Sequence, residues 1–99
     1  MSANSEHQQA DTPVERTVEL GRHLHARPAG QVSQLAAKHQ QTVIELLAGD
    51  RNASARSVLA VMGLGAVKGD QVEVIVTGSD AEAVADEIVE ILHSPDNGE

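Results

Sequence analysis

The sequence predicts an α/β fold of the α+β kind, an open-faced sandwich in which a four-stranded antiparallel sheet carries three helices on one face. Two patterns and their order support this. Val72, Val74 and Val76 recur with period two, as one face of a half-buried strand requires. Val84, Ile88 and Leu92 recur at helical spacing, with Ala85 and Ile91 beside them. Along the rest of the chain the two periods alternate in the order strand, helix, strand, strand, short helix, strand, helix.

Residues 1–13 are polar and poor in branched apolar side chains, which predicts a disordered extension ahead of a domain spanning 14–93. Thr17 to Leu20 alternates as a short strand. Pro28 suits the first turn of a helix, where its missing N–H costs nothing, and is followed by Val32, Leu35, Ala36 and His39 at the spacing of one buried face. Gln41 to Leu47 is β-branched enough for a second strand. Gly49 to Asn52 reads as a turn into a short Ala53–Ala55 segment. Ser57 then precedes Val58, Leu59, Val61 and Met62, a hydroxyl placed to cap a short helix that Gly63 and Gly65 end. Val67 to Asp70 is a second turn, Gln71 to Thr77 is the clearest strand, and Ser79 or Asp80 is placed to cap the last helix. Residues 94–99 read as a flexible tail.

A chain of 99 residues holds one small domain. It has no aromatic residue, so stacking of bases on side-chain rings is excluded and nucleic acid is not an expected partner. It has no cysteine, hence no disulfide framework and no thiolate metal site. No apolar run approaches the ~20 residues that span a bilayer, and the first 13 residues lack the apolar stretch of a secretory signal. A cytoplasmic, monomeric protein without membrane insertion and without a cofactor is expected.

The net charge of -8 is sorted along the chain. Residues 80–99 hold seven acids and no Lys or Arg, which leaves only -1 for the first 79. Two acid-free segments, between Glu19 and Glu45 and between Asp50 and Asp70, carry Arg22, Arg27, Lys38, Arg51, Arg56 and Lys68, six of the seven basic residues. Shared on one face, these would steer the protein toward acidic partners, an effect that salt weakens. Chance clustering on a solvated surface is the alternative.

The segment from His23 to Ala29 carries the chemistry. A histidine, with an ordinary pKa near ~6.5, offers a nucleophilic ring nitrogen at neutral pH. His25 stands close to a predicted helix start, whose N–H groups and dipole attract phosphate. Arg27 adds a planar fork of donors suited to phosphate oxygens. Taken alone, His25 favours the reading of an ordinary surface or capping histidine. His23 and His25 also have the spacing of a metal-ligand pair, but no cysteine and no nearby carboxylate completes a shell.

Leu24-His25-Ala26-Arg27-Pro28-Ala29 resembles the active-site signature of the histidine-containing phosphocarrier (HPr) family of the phosphoenolpyruvate-dependent sugar phosphotransferase system. Arg56 to Gly65, continued by Lys68-Gly69-Asp70, resembles the family's second signature, around a regulatory serine. The likeness runs from about Glu15 to His93 with both motifs in order. It implies that His25 accepts a phosphoryl group on Nδ1 from enzyme I and passes it to enzyme IIA domains, with Arg27 contacting the group. It implies further that Ser57 is the target of an HPr kinase/phosphorylase where a lineage has one. A plain N-cap is the other reading of Ser57. Among the apolar residues of the second motif, Val58 or Val61 suits the core, while Leu59 and Met62, with Ala26, suit a docking surface.

Arg22-His23 departs from the small or Gly-containing turn usual in the family and sets a guanidinium and a second imidazole ahead of the site. Two other functions stay open: a specialised or regulatory carrier of the same family, serving dihydroxyacetone phosphorylation or nitrogen control, and a non-catalytic interaction or metal-binding module.

Overall fold

The computed structural model describes residues 12–95. The predicted extension lies almost wholly outside them, as does most of the predicted tail. Seven elements follow in order: β1 (Val14–Glu19), α1 (Ala26–Lys38), β2 (Thr42–Ala48), β3 (Arg51–Ser54), α2 (Val58–Met62), β4 (Gln71–Gly78) and α3 (Ala81–His93). The strands form one antiparallel sheet in the order β1-β4-β2-β3. The open-faced sandwich with four strands and three helices is the observed architecture. α3 packs on β1 and β4, α1 on β2 and α3, and α2 on α1 and β3.

The alternation that marks the strands also fixes the core. Val72, Val74 and Val76 are fully buried, each stabilising the fold by about 1.5–3 kcal/mol, and they face Val18, Ile44 and Leu46 of the flanking strands. From above, Val32, Val84, Ala85, Ile88 and Leu92 close the layer. Thr42 is the buried polar residue of β2, and its hydroxyl donates to the Ser79 carbonyl at 2.6 Å.

Several boundaries differ from the sequence expectation. β1 starts at Val14, three residues early, because pairing with β4 runs to Val76. β3 starts at Arg51: Ala48 pairs with Arg51 across a two-residue turn in which Gly49 takes φ +63°. α1 opens at Ala26, so Pro28 is its third residue and His25 its N-cap, with extended backbone angles (φ -85°, ψ -167°). His39 lies beyond the buried face, half-buried at the C-cap. Asp80 does occupy the N-cap of α3, but in the left-handed region (φ 56°), and neither its carboxylate nor Ser79 provides a side-chain cap.

Candidate functional site

The loop that carries His25 is tied down residue by residue. Leu20 exchanges backbone hydrogen bonds with the turn after α2, its N–H donating to Asp70 and its carbonyl accepting from Gly69. The Gly21 amide donates to the Leu92 carbonyl at 3.0 Å, and the Arg22 guanidinium donates to the Ile91 carbonyl at 3.0 Å and to Gln31. Both carbonyls belong to the last turn of α3, where a helix has no internal donors left. His23 accepts the Lys68 amide on Nδ1 at 2.9 Å, and the Leu24 amide donates to Ala66 at 3.1 Å while its side chain is buried. The His25 amide turns back onto the His23 carbonyl at 2.9 Å.

Leu24 is buried at the centre of this tight turn, while His23 and His25 on either side of it are exposed. Their rings lie 5.2 Å apart between centroids, tilted by 40°. His25 is exposed, and its ring makes no cap hydrogen bond to the helix it heads. The carbonyl of His25 accepts the first intrahelical bond, from Ala29, and Pro28 has no N–H. The first-turn amides of Ala26 and Arg27 therefore emerge beside the imidazole, at the positive end of the 13-residue α1. Arg27 is exposed at the second helical position.

Of the two residues by which the sequence departs from the family, only one stays at the site. Arg22 is 8% exposed and is drawn under α3, so its charge does not face His25. His23 remains on the surface next to it.

α2 lies along α1 in the opposite sense. Arg56 stands at one end, its carbonyl accepting from Ser33 and its Nη2 donating to the Gln40 carbonyl at 2.9 Å, with those of His39 and Thr42 close by. At the other end Ala66 meets Leu24. Met62 is thus nearer His25 along this path than Ser57 is. The Ser57 hydroxyl accepts the Ala60 amide at 3.1 Å, the N-cap expected from the sequence. Val61 and Leu64 enter the core and Val58 is half-buried, whereas Leu59 is 80% and Met62 37% exposed. Val67, also exposed, escaped the sequence reading because it sits in a turn where no periodicity marks its direction.

The charge sorting resolves into two populations. Arg22, Arg51 and Arg56 each donate to carbonyls at or just beyond the C-terminal end of a helix: Arg22 at α3, Arg51 to Gly63 at α2 (3.1 Å), and Arg56 at α1. Lys38 and Arg56 sit at the far end of α1, roughly 20 Å from His25 at 1.5 Å per residue. Arg27 and the Lys68 backbone are at the site itself. No group of three or more metal-ligating side chains occurs among the described residues. The groove between α1 and α3, about 370 Å³ and lined by Gln31, Gln34, Lys38, His39, Glu87 and Glu90 among others, contains none of the expected site residues.

An open-faced sandwich that presents an exposed imidazole at the head of its first long helix defines a class, the small histidine phosphocarrier domains. The comparisons specify it. The family model described as the phosphorylation site of the HPr component of the phosphotransferase system matches residues 14–94. Phosphocarrier protein HPr of Haloferax volcanii is 39% identical over 75 residues, which is 74% of this chain and 83% of that protein. Among solved structures, HPr of Bacillus anthracis superposes with a TM-score of 0.76 at 24% identity, covering 84% of this chain and all of that one. HPr-C-His of Thermoanaerobacter tengcongensis gives 0.68 at 27% identity, covering 82% and 90%. The chain belongs to the HPr family of phosphotransferase-system phosphocarriers. Among its described residues, no helix is long and apolar enough to cross a membrane.

Proposed function

We propose that the chain relays phosphoryl groups through His25, from phosphorylated enzyme I to enzyme IIA domains in sugar uptake. The observation that carries this reading is the position of His25: an exposed N-cap whose ring is engaged in no capping bond, beside the first-turn amides of α1. The neutral Nδ1 lone pair attacks phosphorus in line. A nitrogen–phosphorus bond forms as the donor's own nitrogen–phosphorus bond breaks, and its electron pair returns to the donor imidazole. Transfer onward reverses the roles, with His25 as leaving group. Little covalent chemistry is asked of the protein, so positioning and charge stabilisation dominate. Arg27 and the amides of Ala26 and Arg27 bind the equatorial oxygens. The surroundings are solvated, where a unit charge at ~4 Å contributes only about 1–4 kcal/mol, so the group is held lightly enough to leave.

Leu59 and Met62, with Ala26, form the apolar part of the docking surface, and adaptable Met suits a patch that meets several partners in turn. Ser57 is the site of regulatory phosphorylation by an HPr kinase/phosphorylase where the host has one, adding about -1.5 to -2 charge to that surface. The protein works as a cytoplasmic monomer. Incubation with phosphoenolpyruvate and a compatible enzyme I tests the central claim: acid-labile, base-stable phosphate appears on wild type and not on His25→Ala. Unlabelled wild type, or label that survives the substitution, overturns it. For Ser57, kinase and ATP should yield acid-stable phosphate at that residue by mass spectrometry; its absence removes the regulatory assignment.

A further inference from the structure

The second imidazole, His23, is held with a precision that a surface side chain does not need. Its Nδ1 accepts the Lys68 amide across 45 positions of sequence. An acceptor nitrogen carries no proton, so the ring hydrogen resides on Nε2. The buried Leu24 and the turn from the His25 amide to the His23 carbonyl hold this ring beside His25, 5.2 Å away between centroids. Arg22, which could have competed for an anion there, is engaged at the end of α3. What remains is a single N–H donor of fixed tautomer, on a ring beside the imidazole that receives the phosphoryl group.

Resting on the proposed role of His25, we infer that His23 is a positioning residue whose Nε2–H donates to an oxygen of the His25-bound phosphoryl group. The donor stabilises the phosphorylated form relative to the free one. It supplements the helix amides, at a position where the usual Gly-containing turn has no side-chain donor.

The equilibrium of the phosphoryl exchange isolates this contribution, because an equilibrium ratio is blind to how well a variant docks on enzyme I. With enzyme I and a fixed ratio of phosphoenolpyruvate to pyruvate, pyruvate in excess, the ratio of phosphorylated to free carrier is measured for wild type, His23→Ala and His23→Asn. Asn places an acceptor oxygen near Nδ1 and so preserves the Lys68 anchor, but it lacks a donor at the Nε2 position. Both variants should lower the ratio by about 3- to 10-fold, the worth of one exposed hydrogen bond. In ¹⁵N-labelled wild type, the His23 Nε2 resonance should shift when His25 is phosphorylated. A wild-type ratio in His23→Asn with a lowered one in His23→Ala makes His23 an anchor only and overturns the inference, as does an unmoved Nε2 resonance. Failure of wild type to take label at all is read before any His23 variant is made, and overturns the parent reading together with this one.

Discussion

Every residue from Leu20 to Leu24 is hydrogen-bonded either to the end of α3 or to the segment Ala66–Asp70, which makes Gly21 more constrained than its place in a loop suggests. A Cβ there would fall inside contact distance of the His93 and Ser94 backbone, atoms fixed by the end of α3. Gly21→Ala should therefore force strand exit and helix end apart, costing about 1–3 kcal/mol, the range for overpacking in a close contact. Urea denaturation measures it, and an unchanged midpoint would show that the α3 end yields freely. At Arg27 the expectation concerns transfer rather than stability. Arg27→Ala should slow phosphoryl transfer on the order of 10²-fold by removing a charge-stabilising donor, with Arg27→Lys restoring part because it lacks the fork. Rapid-quench transfer rates decide; equal rates in Arg27→Ala and wild type would exclude the role. The placement of His25 and Arg27 at a helix start was legible because their motif is local. The fate of Arg22 was not, since its partners Gln31 and Ile91 are 9 and 69 residues away.

At the scale of elements, each helix of this fold has an arginine from elsewhere in the chain at its C-terminal carbonyls. That end carries partial negative charge and orphan acceptors, so a guanidinium there stabilises both. Arg56→Ala leaves the carbonyls after α1 to water and should destabilise by about 1–2 kcal/mol, toward the lower side of the range for charged hydrogen bonds because the site is exposed. Ser57→Ala, which removes the N-cap of a five-residue helix, should cost about 1 kcal/mol. For a domain of this size either loss lowers Tm by roughly 4–8 °C per kcal/mol. Thermal melts check both, and a Tm within a degree of wild type would deny the cap its role. The strands with β-branched alternation, β2 and β4, were read to within a residue of their ends. β3 was not, because Arg51 and Asn52 are poor strand formers, placed there by pairing with Ala48 and Leu47. The capping arginines escaped for a related reason: in sequence they look like a basic cluster, and only the fold distributes them.

For the whole molecule, the charge distribution makes two salt effects of opposite sign. The outer face of the sheet presents Glu15, Glu45 and Glu73, and α3 presents Glu82, Glu87 and Glu90, while Arg16 turns inward to Asp86 and Arg51 to Gly63. With a net charge of -8, self-repulsion opposes the compact state, and salt relieves it. Raising KCl from about 0.1 to 1 M shortens the screening length from about 10 to 3 Å, so Tm should rise. Docking should respond the other way. Arg27 and Lys68 lie at the His25 end, where an acidic partner would approach, and screening removes that attraction. Affinity for enzyme I should fall with salt, and the fall should shrink in an Arg27→Gln, Lys68→Gln variant. Calorimetric titrations and melts over the same salt series separate the two effects. If affinity and Tm rise together, solvation of the acidic surface governs both and the local positive rim does not steer docking. If affinity falls while Tm rises, and the double variant flattens only the first, the two populations of charge act independently. The rim at His25 then serves encounter, and the carboxylates elsewhere set how much salt the fold needs.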